Sequence, residues 1–191
     1  FVIEAFPIEF MMDAIDVRQL MQEDMKQLNR MVGYVRAEQD AVLTSGQAVA
    51  FISGGKEYGV IIAPKHLAFN DTEINRTGVS VFMTEQQARE NELRGTQAAI
   101  EDAGALGVMT AFNRVGITAT NAHTGLLKNI LRGEWGFKGL ESQDFIMNPN
   151  YAVLKEYALN GGTMTTFTGE NTMAAVSEKF AYWTTENVGQ D

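Results

Sequence analysis

Short apolar runs, each closed by a polar cluster and separated from the next by helical sequence, most constrain the fold of this chain. Val60-Ile61-Ile62-Ala63 ends in Pro64-Lys65-His66, and Val108-Met109-Thr110-Ala111 ends in Phe112-Asn113-Arg114. Leu140 to Gln143 ends in Asp144-Phe145, and a β-rich run covers Thr163 to Phe167. Continuously apolar strands are buried on both faces, which is the condition of a parallel sheet covered by crossover helices. In such sheets the residues at the C-terminal strand tips face the ligand cleft.

The intervening segments read as helices. One is expected over Phe10–Val32, with Met11, Ala14, Leu20, Met21, Leu28 and Met31 on its apolar side, and one over Asp40–Lys56. The clearest starts after Thr84, whose TEQQ pattern resembles a capping box, and stops at Gly104. Further helices are expected near Thr124–Leu131, Tyr151–Leu159 and Asn171–Phe180, while Asn70–Phe82 is polar, aperiodic and loop-like.

Composition excludes several functions. With 24 acidic against 15 basic side chains the net charge is −9, which opposes binding to nucleic acid or an anionic membrane surface. The chain has no cysteine, so disulfides, thiolate catalysis and zinc-finger sites are out. It has only two histidines, His66 and His123, with no acid cluster beside either, so no metal or cofactor is expected. No run of about 18 apolar residues occurs, so no membrane span is expected. The first residues lack the basic region of a signal peptide and do not begin with Met, which fits a chain cut or matured upstream. The compartment stays open between bacterial cytoplasm and secretion.

Collected, the tips offer Lys65, His66, Met109, Phe112, Asn113, Asp144 and Phe145, with Arg76 in the following loop. Charged groups for hydroxyls and rings for an apolar sugar face suit a polyhydroxylated ligand. Phosphate fits less well, because there is no Gly-rich phosphate loop and an aspartate repels anions. Taken singly, each of these residues has a bland alternative as a cap, a solvated charge or core.

The segment KHLAFNDTEINRTGVSVFMTEQQARE resembles the Lys-His block of glycoside hydrolase family 3, the β-glucosidase family. GVMTAFNRVG is similar to that family's strand before its sugar-binding aromatic, and LLKNILRGEWGFKG with the following Asp to its nucleophile block. The resemblance runs from about Glu38 to the C-terminus. It implies a TIM-type (βα)8 barrel, of which this chain supplies the C-terminal part over residues 38–191, after an N-terminal helical segment over 1–37. The resemblance also implies a retaining glycosidase cleaving a terminal β-linked sugar, with Asp144 as nucleophile. Lys65, His66, Arg76, Met109, Phe112 and Phe145 would line the subsite for that sugar, and Lys65 and Arg76 would keep Asp144 ionised.

Nothing in the chain matches the family's acid/base glutamate, so another domain or chain is expected to complete the barrel and supply it. Phe112 stands where the family often has Tyr, and Gln143 where it has Thr or Ser. Those departures favour the rival reading, a non-catalytic carbohydrate-binding or scaffolding subunit. If Asp144 points inward, strand alternation turns Glu141 toward the helices, where a Lys or Arg partner or exposure is expected.

Overall fold

The computed structural model describes residues 40–72, 74–145 and 153–166, the backbone of 3–4 and 32–36, and single helical positions at 174 and 178. Strand β1 (Ile3–Glu4) pairs antiparallel with β2 (Val32–Arg36), which runs parallel to β3 (Ile61–Lys65). The expected helix over Phe10–Val32 lies outside the described residues except for Val32, which opens β2.

Helix α1 (Ala41–Lys56) connects β2 to β3. Its N-cap is Asp40, whose Oδ1 accepts the N–H groups of Val42 and Leu43 at 3.0 and 2.8 Å, satisfying donors that the helix leaves open. Past β3, the backbone N–H of Leu67 donates to the Met109 carbonyl (2.8 Å) and that of Ala111 donates to the Leu67 carbonyl (3.0 Å). These bonds join β3 to β5 (Gly107–Thr110), and β5 pairs in parallel with β8 (Leu140–Gln143). Ser142 bridges in parallel to Met164, within the run expected to be β-rich. The parallel order is therefore β2, β3, β5, β8 and the Met164 bridge, in sequence order with a helical crossover at each step. This is the arrangement of consecutive βα units.

Between β3 and β5 the loop over 70–82 contains β4 (Ser80–Val81), which the sequence does not announce. The helix expected to run unbroken from Thr84 to Gly104 comes in pieces instead: α2 (Glu85–Gln87), a wide turn over Ala88–Glu92, and α3 (Arg94–Glu101). In the wide turn the Leu93 N–H reaches back five residues to the Ala88 carbonyl, at 2.9 Å. The Thr84 cap forms as expected, its hydroxyl accepting the Gln87 N–H at 3.2 Å.

After β5 comes a small hairpin, β6 (Arg114–Val115) and β7 (Thr118–Ala119), with β6 also parallel to β4. Gly116 turns it at φ 60, the left-handed value that the first central residue of a type II′ turn needs. Helix α4 (Gly125–Glu134) is wound with the same wide spacing and runs longer than the expected Thr124–Leu131. Helix α5 (Leu154–Leu159) follows β8.

The core lies between the sheet and these helices. Phe51 and Ile52 of α1, Ile62 of β3, Ala99 and Ile100 of α3, Val108 of β5, and Leu127 and Leu131 of α4 are buried in one cluster. At the entry to β8, Gly139 packs so closely on the backbone of Leu106 that a Cβ could not be accommodated, so only glycine permits β8 to start beside β5.

Candidate active site

Asp144 follows β8 directly and is 7% exposed. Its Oδ1 accepts the Phe145 backbone N–H at 2.8 Å. Its Oδ2 lies 3.1 Å from Nε2 of His66 and 3.3 Å from Nη1 of Arg76. Both lie within ion-pair distance of Oδ2, and the Arg76 guanidinium brings a full positive charge. Burial acts to raise the Asp144 carboxyl. The His66 contact, the Phe145 N–H and the Arg76 charge outweigh it and hold the group below its ordinary value. Asp144 is therefore an ionised carboxylate with one oxygen fixed by the backbone and the other facing the His66 ring nitrogen and the Arg76 guanidinium.

The remaining expected site residues come from the same tips. Arg76 is carried there by the loop after β3, and its guanidinium lies over the Phe112 ring at 4.5 Å, stacked as cation on aromatic face. Phe112 is buried just beyond β5, within which Met109 is also buried. Lys65 closes β3 and is half-buried, in register with Arg36 of β2. Phe145 is 40% exposed, the most open aromatic of the set. Asp144 thus contacts His66 and Arg76, and Arg76 in turn lies over Phe112, whereas Lys65, Met109 and Phe145 are placed by their positions on or beside the strands.

Other residues at the tips support this group. Asn113, 1% exposed, donates from Nδ2 to the Ala68 carbonyl at 3.0 Å and so ties the tip of β5 to the loop after β3. Asn70 Nδ2 lies 3.2 Å from Nδ1 of His66. Gln143 accepts from Asn121 at 2.8 Å and its main-chain carbonyl accepts from Thr166 at 2.7 Å, so it acts as a strut between segments. Asn70 and Asn121 drew no role from the sequence. Asn70 could have been found from its spacing of four after His66.

Glu141 overturns an expectation. It is fully buried, and among the described residues no Lys or Arg pairs with it and no well-formed hydrogen bond reaches either carboxyl oxygen. Burial pushes its carboxyl up to about 8, against weaker pulls from the Tyr157 and Thr110 hydroxyls and the Arg132 charge. An ionic partner is unnecessary because the group is mostly protonated at neutral pH. Arg132, the nearest candidate, is committed elsewhere: it donates to the carbonyls of Phe137 (3.2 Å), Gly139 (2.9 Å) and Gly161 (2.6 Å).

Among the described residues no group of three or more His, Cys, Asp or Glu is placed to hold a metal ion. No helix searched among them is long and apolar enough to cross a membrane.

Comparison with known proteins converges on one family. Residues 27–162 match the glycosyl hydrolase family 3 N terminal domain. The chain is 37% identical over 113 residues to "Probable beta-glucosidase J" of Emericella nidulans, covering 59% of this chain and 13% of that protein. It is 36% identical over 107 residues to a beta-glucosidase of Rhizobium radiobacter, covering 56% of this chain and 13% of that protein. Beta-glucosidase 3B from Thermotoga neapolitana, solved in complex with alpha-D-glucose, superposes with a TM-score of 0.69 at 26% identity, covering 79% of this chain and 21% of that one. This chain therefore spans about an eighth of the length of the curated relatives it matches. It belongs to glycoside hydrolase family 3, as part of that family's N-terminal domain.

Proposed function

We propose that the polypeptide containing this chain is a retaining β-glucosidase-like hydrolase that removes a terminal non-reducing β-linked sugar. The observation that carries the reading is Asp144: an ionised, nine-tenths-buried carboxylate at a strand tip with one oxygen anchored and the other flanked by His66 and Arg76. In retaining hydrolysis such a carboxylate attacks the anomeric carbon and forms a glycosyl ester, while a second carboxylic acid protonates the departing oxygen. Water then cleaves the ester, with the second group now acting as base. Lys65, His66 and Arg76 would hold the sugar's hydroxyls, and Met109, Phe112 and Phe145 its apolar faces. The acid/base carboxyl would come from elsewhere in the polypeptide and stand roughly 5–5.5 Å from Asp144.

The test is a 2-deoxy-2-fluoro-β-glucoside with a good leaving group, incubated with the full polypeptide. The fluorine slows breakdown of the ester more than its formation, so a glycosyl mass should accumulate on the peptide carrying Asp144. If the sugar binds and no ester forms, the polypeptide is instead a carbohydrate-binding subunit on a degenerate barrel, a role that Phe112 and Gln143 would accommodate.

A further inference from the structure

We propose that Asn70 is a positioning residue that holds the His66 ring against Asp144. The consequence for catalysis rests on the glycosidase reading above, while the geometry does not. His66 uses both ring nitrogens: Nε2 lies 3.1 Å from Asp144 Oδ2, and Nδ1 lies 3.2 Å from Asn70 Nδ2. A neutral imidazole carries one proton, so its two nitrogens have opposite roles. An amide N–H donating to Nδ1 leaves the proton on Nε2, where it faces the carboxylate. The other tautomer would turn the Nε2 lone pair toward Asp144 and repel it. Asn70 thus selects the form of His66 that attracts the nucleophile, in the way a partner on the far nitrogen orients catalytic and metal-bound histidines.

The backbone shows that this placement is built. Leu67 is fixed on both sides by its bonds to Met109 and Ala111, and the Ala68 carbonyl is held by Asn113. Phe69 then takes φ 67, left-handed backbone that is unfavourable for a non-glycine residue. Its ring is buried in the core, which offsets that cost. This turn brings Asn70 back beneath His66, four residues earlier, with the His66 side chain only 2% exposed.

The experiment compares Asn70→Asp and Asn70→Ala with the parent in the full polypeptide. Histidine C2-hydrogen exchange, read by mass spectrometry across pH, reports the titration of His66. His123 serves as the internal control, because its Nδ1 accepts the Leu126 N–H at 3.1 Å and it plays no part in this contact. Asn70→Asp should move the His66 titration upward by a pH unit or more while that of His123 stays put. Asn70→Ala should slow formation of the fluoro-glycosyl ester about 10- to 100-fold, the effect of losing a hydrogen bond that orients a donor toward a charged carboxylate.

An unchanged His66 titration in Asn70→Asp overturns the proposal, as does an unchanged trapping rate in Asn70→Ala when the parent is trapped. If His66 responds to Asn70→Asp and the parent is never trapped, Asn70 still positions His66 and the glycosidase reading is what fails.

Discussion

Asp144 and Glu141 sit three residues apart on one stretch of backbone, both carboxylic acids and both buried, yet their surroundings push them in opposite directions. Asp144, at the tip, meets His66, Arg76 and the Phe145 N–H and is held below its ordinary value. Glu141, inside β8, meets hydroxyls and hydrocarbon and is pushed up to about 8. The odd spacing puts them on opposite sides of the strand, so one faces the polar cleft and the other the packing beneath the helices. Burial alone does not make a nucleophile. The difference lies in whether charge and backbone donors accompany it.

The comparison can be broken most sharply by exchanging charge for amide at each site. Asp144→Asn should abolish trapping and lower kcat on the order of 10⁴-fold or more, as loss of a covalent nucleophile does, while leaving the fold intact. Glu141→Gln should leave trapping within a few-fold. Equal losses of activity in both variants would mean that Glu141 is not the structural partner of the pair.

The two groups should also oppose each other in the pH dependence of stability. Glu141 has a folded value above the usual 4.5, so the stability tied to its neutral form is fully present below about 4.5 and is lost as pH rises toward 8. By linkage that loss is on the order of 5 kcal/mol at most. Denaturant melts across this range should show the decline in the parent and a flattened profile in Glu141→Gln. Asp144 has the reverse sign: its contribution is present above the ordinary 3.8 and lost as pH falls through its lower folded value. Asp144→Asn should therefore soften acid unfolding and leave the alkaline slope unchanged.

The smallest effect is expected at Phe112, which stacks under Arg76. Phe112→Tyr adds a hydroxyl at a position that the family often fills with tyrosine. It should improve kcat/KM by no more than about tenfold, one hydrogen bond's worth, with the trapping site unchanged.

These contrasts follow how far the chain could be read from its residues. The strands at Ile61–Lys65 and Gly107–Thr110 are legible because runs buried on both faces are apolar or nearly so, whereas Leu140–Gln143, mostly polar, is legible from the Gly-punctuated turn before it and the acid at its tip. The broken helix after Thr84 is not, because its composition suits a helix throughout and no residue in it marks the five-residue hydrogen bond at Leu93. The hairpin β6–β7 left a signal in Val115-Gly116-Ile117-Thr118, but its strands are too short for alternation to show. Glu141 misled for a different reason. Sequence displays a carboxylate, and only the environment decides whether it carries a charge.

Arg132 has a consequence beyond its own neighbourhood. One guanidinium binds the carbonyls of Phe137 and Gly139 at the entry to β8 and that of Gly161 after α5. With Gly139 wedged against Leu106, β8 cannot slide along its axis by a residue without breaking this clamp and the close approach together. A slip of that kind would exchange the two faces of the strand and put Glu141's environment where Asp144's belongs. The height of Asp144 above the sheet is thus set from the opposite end of the strand at Gly139, about 17 Å away at some 3.3 Å per residue. A lesion at Arg132 would act as a shift in ruler, misplacing the carboxylate without touching it.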